Sequence, residues 1–209
     1  MARYQPLFID FTGKRVVVFG GGPVGERKAA YFAGANVTVV SRDFTPGLES
    51  MPGIRRVRQH VVAADVPGLV KDAFLVVAAT GNPALDREIA RMAGEAGALA
   101  NSAAGGSEVI LPAKIVRDDI IVAVSTGGTS PAMARFIRQR LESSLGRELA
   151  DMARLQSSLR ETLKKEVPSQ EERERLLWKV LEDPDVWDAL KISYNNGMLL
   201  AIEKLRKEI

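Results

Sequence analysis

The 209-residue sequence contains no cysteine and a single histidine, His60. The absence of cysteine excludes disulfides, thiolate nucleophiles and cysteine-ligated metals, and it suits a cytoplasmic protein. One imidazole without cysteine partners makes a poor metal site. We therefore predict no metal-ligand set, and we interpret His60 as part of a surface strand.

The sequence also lacks long apolar runs and a dominant sign of charge. No run is long enough to cross a bilayer, and residues 1–10 do not have the pattern of a signal peptide. The 29 lysines and arginines nearly balance the 26 acidic residues, which leaves a formal net charge of +3. Because the two signs are interspersed, the charge is typical of a solvated surface, and we expect neither a membrane nor a nucleic-acid partner. A polyanionic small substrate would suit the basic excess equally well.

The most informative stretch begins with residues 15–19 (RVVVF), a β-branched and aromatic run typical of a strand buried on both faces. It is followed by GGGPVG, which satisfies G-x-G-x-x-G. A helix-forming run at 26–33 ends before Gly34, a suitable C-terminal cap, and residues 36–40 give a second strand. This strand, turn, helix and strand predict a dinucleotide site, and the alternative is an ordinary glycine-rich turn.

Each glycine of the motif has a steric role. Gly20 permits a sharp turn, Gly22 admits a pyrophosphate close to the backbone, and Gly25 lets the helix pack against the strand. The free N–H groups and positive dipole end of the helix then form an anion site. Pro23 is tolerated there because the first helical turn has no intrahelical acceptor for its nitrogen.

The end of the second strand bears on the choice of nucleotide. An acidic residue at this place takes the ribose hydroxyls of NAD, whereas an arginine favours the extra phosphate of NADP. The sequence offers both, as Arg42 and Asp43. The spacing of Asp43 from the glycines favours NAD, although a solvated loop carboxylate is the alternative.

The remainder of the first half predicts an α/β fold with a parallel sheet. Thr80 and Asn101 lie at the carboxyl ends of predicted parallel strands, so each is either a cofactor-facing residue or a turn-former. Residues 4–11 are short and apolar and are expected to pack across the sheet. The predicted elements are strands at 55–62, 74–80 and 98–101 and a helix at 84–94.

The second half predicts a hairpin and then helices alone. Strands at 114–116 and 120–125 flank a turn, and Ser130 and Pro131 open a helix at 132–145. The loop before this helix either only caps the helix or also lets substrate carboxylates come close to its backbone. Three later helices are predicted at 148–165, 168–181 and 183–209, with Trp178 and Trp187 as core anchors.

Four segments together resemble the precorrin-2 dehydrogenase and sirohydrochlorin ferrochelatase family, the N-terminal module of siroheme synthase. The first two are PLFIDFTGKRVVVFGGGPVGERKA and FLVVAATGNPALDREIA, and the last two are IIVAVSTGGTSPAMARFIRQRLES and EERERLLWKVL. GGGPVGERKA and STGGTSPAMARFIR are specific in combination, whereas the final helices match mainly in pattern. The resemblance covers essentially the whole chain.

The resemblance implies a homodimer with three regions in each chain. These are an NAD-binding Rossmann domain at 1–112, a central dimerisation region at 113–146 and a helical domain at 147–209. The family oxidises precorrin-2 with NAD to sirohydrochlorin, and many members also insert ferrous iron to give siroheme. Precorrin-2 carries eight carboxylates, so a basic surround that includes Arg135 and Arg138 would attract it.

The resemblance also implies site residues at matching positions. It places NAD contacts at Gly22, Pro23, Val24, Arg42 and Asp43. It places the tetrapyrrole beside Thr126, Gly127, Gly128, Thr129 and Ser130.

One departure from the family concerns the catalytic aspartate that usually stands three residues after the position of Asn101. This chain has Ala104 there, and the loop before Pro112 is about two residues shorter. A carboxylate is the obvious group to take a proton during dehydrogenation or metal insertion. The catalytic group is therefore unknown, with Glu108 and Thr126 as candidates. The loss of the aspartate affects the expectation of chelation more than the expectation of dehydrogenation.

Two alternatives remain at this stage. A non-catalytic NAD-responsive regulatory module would account for the glycine motif and for Ala104, but not for STGGTSPAMAR or the closing helices. A chelatase of the same fold that uses cobalt or nickel is the other.

Overall fold

The computed structural model describes residues 4–209. Residues 1–3, which belong to the segment 1–10 that was predicted not to be a signal peptide, lie outside the described residues. The chain divides into two compact units, of which the first ends at Leu111 and the second covers Pro112–Ile209. This division falls beside the predicted end of the Rossmann domain. The further split of the second unit at 146 stays a prediction. No helix within residues 4–209 is both long and apolar enough to span a membrane.

The first unit is built on a five-stranded parallel sheet, which confirms the predicted fold class. The strand order is β3-β2-β1-β4-β5, so the chain reverses direction across the sheet after β3. The carboxyl ends of β1 and β4 are therefore neighbours at the switch of strand order, the place where open α/β sheets bind ligands. The strands are β1 Arg15–Phe19, β2 Asn36–Ser41, β3 Ile54–Arg58, β4 Leu75–Ala78 and β5 Leu99–Ser102.

Helices cover both faces of this sheet. Alternate residues of a strand point to opposite faces, and β1 accordingly packs Val16 with Ala29 on one side and Val17 with Ile89 on the other. The helices are α1 Pro23–Tyr31, α2 Pro46–Ser50, α3 Val66–Val70 and α4 Pro83–Glu95, with a 3-10 turn at Ala63–Asp65.

Several predicted boundaries in this unit were wrong. Helix α1 begins at Pro23, which confirms the expected place of Pro23 in the first turn, but it ends at Tyr31 rather than at 33, and Gly34 lies in the following loop with φ +98°. Strand β3 ends at Arg58 rather than at 62. The two five-residue helices α2 and α3 were not predicted, because segments that contain proline and glycine (PGLES and VPGLV) carry no helical periodicity.

The expectation that residues 4–11 pack across the sheet was wrong for most of the segment. Leu7 is 80% exposed and Phe8 is 69% exposed. Only Phe11 reaches the core, where its ring lies 5.0 Å from the Phe32 ring and 5.4 Å from the Phe74 ring, centroid to centroid. The run is too short and too interrupted to form the regular strand that would bury alternate side chains.

The second unit begins with the predicted hairpin, β6 Ala113–Arg117 and β7 Ile120–Val124, which pair antiparallel. Five helices follow. Leu155, Leu176, Val186 and Ala201 are fully buried in the core that joins the last four helices. The helices are α5 Pro131–Glu142, α6 Arg147–Glu166, α7 Gln170–Glu182, α8 Pro184–Ile192 and α9 Tyr194–Arg206.

Two predictions for this unit need correction. The last predicted helix, at 183–209, is two helices, because Ser193 is extended and its hydroxyl accepts the Asn196 N–H at 3.1 Å to cap α9. Trp178 is no core anchor, since it is 54% exposed. Trp187 does pack against the core, and its indole N–H donates to the Leu181 carbonyl at 2.7 Å.

Candidate functional site

A cavity of about 540 Å³ lies in the first unit at the carboxyl ends of the strands. Its walls come from four places: the glycine turn (residues 20–25), the end of β2, the end of β3 and the turn after β4. Among the predicted cofactor residues, those that line it are Gly20, Gly22, Arg42, Asp43 and Thr80.

The three motif glycines have different surroundings. Gly20 has φ +113°, and a Cβ there would overlap the Ala79 carbonyl. A Cβ on Gly25 would overlap the carbonyl of Gly20, because α1 packs directly against the turn at this point. Gly22 is exposed, and a Cβ there would meet nothing within 4 Å. Two glycines are thus required by packing, whereas Gly22 leaves open space on the cavity side.

The open space beside Gly22 is the N-terminus of α1. Gly22 is the N-cap residue, no side chain caps the helix, and Pro23 and Val24 are exposed in its first turn. The first backbone N–H groups of a helix have no intrahelical acceptor, and together with the helix dipole they bind phosphate groups. The residues present therefore fit a pyrophosphate, although NAD contact at each named position stays a prediction.

The end of β2 carries a charged pair. Arg42 Nε lies 2.7 Å from Asp43 Oδ2, and both side chains are about three-quarters exposed. The hydrogen bond to Asp43 raises the pKa of Arg42. The loop after this pair is tied to the glycine turn, because the Thr45 N–H donates to the Gly21 carbonyl at 2.9 Å and the Thr45 hydroxyl donates to Glu26.

The end of β3 contributes Gln59 and His60 to the same cavity. His60 lies beyond the strand, so its assignment to a surface strand was wrong. The Gln59 N–H donates to the Ser41 carbonyl at 3.0 Å and holds this segment beside β2. Only the strand order, which places β3 next to β2, could have indicated these two residues.

The turn after β4 is held by a buried carboxylate that sequence reasoning missed. Asp86 is 2% exposed, and its Oδ1 accepts the Thr80 N–H at 2.8 Å and the Thr80 hydroxyl at 2.7 Å. Asn82 caps α4 by accepting the N–H groups of Ala84 and Leu85. An acidic residue in the first turn of a helix is favourable for the dipole, and that pattern was the available signal for Asp86.

Asn101 is buried in β5 and does not line the cavity. Its Nδ2 donates to the Val109 carbonyl at 2.8 Å, and its Oδ1 accepts from Lys28 Nζ at 3.0 Å. Burial, with the charge of Arg27 as a smaller cause, lowers the pKa of Lys28. The structure gives Asn101 these protein partners, and a contact with cofactor stays a prediction.

The loop after β5 folds back on the strand. The Ser102 N–H donates to the Ser107 hydroxyl at 2.6 Å, and the Val109 N–H donates to the Ala100 carbonyl at 3.3 Å. Ala104 is partly buried within this loop, and Glu108 is exposed at its return to β5. The loop therefore brings the backbone of an acidic residue back to the strand, whereas position 104 carries no carboxylate.

The second predicted loop belongs to the second unit. The Thr126 hydroxyl donates to the Ser130 carbonyl and accepts the Ser130 N–H, both at 3.0 Å, and Ser130 caps α5 by accepting the Met133 N–H at 3.2 Å. Gly127 and Gly128 both have positive φ and, like Thr129, are exposed. The helix-cap interpretation is thus confirmed, and the exposed backbone leaves the substrate interpretation open.

Within residues 4–209, no cluster of three or more histidine, cysteine, aspartate or glutamate side chains is close enough to hold a metal ion. Further along α5, Arg138 pairs with Glu142, whereas Arg135 is exposed.

Comparison with known proteins agrees with this geometry. A family model described as NAD(P)-binding matches residues 7–113, and one described as sirohaem biosynthesis protein central matches residues 117–144. The precorrin-2 dehydrogenase of Methanosarcina barkeri is 39% identical over 201 residues, which are 93% of this chain and 90% of that protein. The chain belongs to the precorrin-2 dehydrogenase family.

Other relatives of this precorrin-2 dehydrogenase family member are longer. The siroheme synthase of Chromobacterium violaceum is 36% identical over 185 residues, which are 87% of this chain but only 39% of that protein. Among solved structures, one titled SirC, precorrin-2 dehydrogenase, has a TM-score of 0.72 at 21% identity and covers 96% of this chain and 100% of its own. This last likeness shows the fold.

Proposed function

We propose that the chain oxidises precorrin-2 to sirohydrochlorin, with NAD as the hydride acceptor. The observation that carries this proposal is the opening of the α1 N-terminus into the cavity at Gly22, on the edge where the strand order switches. The membership of the precorrin-2 dehydrogenase family supplies the substrate class. A cytoplasmic location suits the cysteine-free sequence.

The cofactor is held by the glycine turn and the end of β2. Gly20 and Gly25 shape the turn, while Gly22, Pro23 and Val24 present the helix terminus to the pyrophosphate. Asp43 takes the ribose hydroxyls, which favours NAD over NADP, and its pairing with Arg42 removes part of the positive charge that a 2′-phosphate would need. When bound, the nicotinamide supplies the hydride acceptor.

Oxidation also releases a proton, and we assign its acceptance to Glu108. Position 104 has no carboxylate, and the Thr126 hydroxyl is engaged with the backbone of Ser130. Glu108 is exposed on a loop that hydrogen bonds return to β5. A positioned general base contributes roughly a hundredfold to ten-thousandfold to a rate.

The polycarboxylated substrate is met by the loop that precedes α5. Gly127, Gly128 and Thr129 expose backbone to solvent, and positive φ at both glycines is available at no steric cost. Ser130 holds the end of this loop on α5, and the exposed Arg135 adds positive charge one turn later. These groups suit carboxylates, whereas an apolar loop would not.

We propose that ferrous iron insertion is weak in the wild-type chain. Metal insertion requires a group that receives the pyrrole protons, and Ala104 stands where the family usually has aspartate. The variant Ala104→Asp is then expected to raise anaerobic iron insertion into sirohydrochlorin. Rapid insertion by the wild-type chain would contradict this assignment.

We also propose that the chain forms a homodimer through the central region. Its hairpin and α5 expose five large apolar side chains: Val116, Ile121, Met133, Phe136 and Leu141. Val116 and Ile121 are cross-strand partners in the hairpin, and exposed apolar side chains that lie together mark an interaction surface.

The test of the activity is the initial rate of NADH formation from precorrin-2 and NAD without oxygen. The wild-type chain is expected to turn over, and Glu108→Gln is expected to lower kcat by about a hundredfold or more because the base is lost. A second arm measures NAD binding, which Glu108→Gln should not change. A wild-type chain that binds NAD without oxidising precorrin-2 would contradict the proposed function.

A further inference from the structure

Lys28 is a half-buried lysine for which the proposed reaction has so far no use. It lies on α1, and its ammonium donates to Asn101 Oδ1 at 3.0 Å. Within residues 4–209, no carboxylate forms an ion pair with it. Burial lowers its pKa, and the neighbouring charge of Arg27 adds to this effect. The hydrogen bond to Asn101 offsets part of the free-energy cost of burying this ammonium.

The hydrogen bond from Lys28 fixes the orientation of the Asn101 side-chain amide. The ammonium has donors only, so Asn101 must turn its oxygen towards Lys28 and its nitrogen away from it. That nitrogen donates to the Val109 carbonyl at 2.8 Å. The reverse orientation would set two donors against each other at Lys28 and two acceptors against each other at Val109. Lys28 therefore selects the amide orientation in which Asn101 Nδ2 can donate to the Val109 carbonyl.

Val109 is the residue after Glu108, and both sides of Glu108 are anchored. On one side the Val109 N–H also donates to the Ala100 carbonyl at 3.3 Å. On the other side the Ser107 hydroxyl accepts the Ser102 N–H at 2.6 Å, and the Tyr4 hydroxyl donates to the Ser107 carbonyl at 3.0 Å. The hydrogen bonds from β5 and from Tyr4 thus hold the backbone on both sides of Glu108.

We infer that Lys28 is a positioning residue for Glu108, acting through the side chain of Asn101 and the carbonyl of Val109. The inference rests on the proposed role of Glu108 as proton acceptor. It also explains how a family member can work without the usual aspartate: the shorter loop is clamped so that the backbone of a later acidic residue returns to β5. Because a misplacement of about 1 Å can cost a hundredfold in rate, loss of the clamp should be visible in kcat.

The first test compares Lys28→Met with Arg27→Met. Both variants remove one positive charge from the same helix, but Arg27 is exposed and makes no contact with Asn101. Lys28→Met is expected to lower kcat with precorrin-2 about tenfold or more and to leave the Kd for NAD unchanged, whereas Arg27→Met should keep both values. Lys28→Arg, whose guanidinium can still donate to Asn101, should recover part of kcat. An unchanged kcat in Lys28→Met would overturn the inference.

The second test is a double-mutant cycle, which separates positioning from a general loss of structure. If Lys28 acts through Glu108, Lys28→Met should lower kcat in the wild-type background and have no further effect in the Glu108→Gln background. An equal loss in both backgrounds would overturn the inference. Should Lys28→Met fail to fold, Lys28→Gln, whose side chain is too short for the same contact, takes its place in the cycle. Failure of the proposed function appears separately, as absence of turnover in the wild-type chain.

Discussion

The glycines of the turn differ in what prevents a side chain at their positions, and this difference can be measured by substitution. Gly20 is constrained by its positive φ and by the Ala79 carbonyl, and Gly25 is constrained by the Gly20 carbonyl. Gly22 is constrained by nothing within the protein. A side chain at Gly22 should therefore affect the ligand, whereas one at Gly20 should affect the fold.

For Gly22→Asp we expect loss of NAD binding with a free energy of unfolding within about 0.5 kcal/mol of the wild-type value, as for other exposed positions. The carboxylate would occupy the phosphate position at the helix terminus and repel it. Gly20→Ala is the contrasting variant and should be destabilised. Calorimetric NAD titration and denaturant unfolding measure the two effects. Undiminished NAD affinity in Gly22→Asp would show that the turn does not hold the pyrophosphate.

At Asp86 the expected effect is on stability. Asp86→Ala leaves the Thr80 N–H without its acceptor and leaves the Thr80 hydroxyl only the Asn82 carbonyl at 3.4 Å, which should lower the free energy of unfolding by about 1–3 kcal/mol. Asp86→Asn keeps an oxygen at the same place and should lose less. Urea unfolding of the two variants gives the comparison, and an alanine variant as stable as the wild type would refute this role of Asp86.

At the scale of elements, the sequence predicted what rests on long or continuous patterns. The apolar run of β1, the hairpin and the amphipathic α6 were found with boundaries close to those observed. The failures have local causes. The amphipathic pattern continues through Ser193, so only the cap hydrogen bond to Asn196 shows that the chain breaks there. The end of β3 and the five-residue helices α2 and α3 have no periodic pattern long enough to predict them.

The break between α8 and α9 predicts a capping effect. Ser193→Ala should lower the free energy of unfolding by about 1 kcal/mol, the usual contribution of a serine N-cap. Ser157→Ala is the matched control, because Ser157 is exposed in the middle of α6, and it should not destabilise. Thermal unfolding of both variants checks the prediction. If the two substitutions have the same effect, Ser193 is not a functional cap.

At the scale of the whole molecule, the strand order determines which residues of the site could be predicted from the sequence. The glycine turn, Asp43 and Thr80 follow recognisable strands and were named from the sequence, and the structure brings them to one cavity. Gln59 and His60 line the same cavity only because β3 lies beside β2. The return of Glu108 depends on hydrogen bonds across its loop, which no sequence pattern encodes.

The proposed homodimer gives a prediction at the same scale. In analytical ultracentrifugation the wild-type chain should sediment at twice its own mass, and Phe136→Glu should shift it towards the monomer by placing a charge in the apolar surface. Leu199→Glu, at an exposed apolar residue of α9 outside the central region, should leave the dimer intact. A wild-type monomer, or a dimer insensitive to Phe136→Glu, would contradict the assigned interface.

The measurement that bears most directly on the central claim is the stoichiometry of the reaction without oxygen. Purified chain is mixed with freshly generated precorrin-2 and NAD, and NADH and sirohydrochlorin are followed together by their absorption spectra. The account predicts one NADH for each sirohydrochlorin formed, with no requirement for an aspartate at position 104. Bound NAD with neither product would contradict it and would favour a non-catalytic NAD-responsive module.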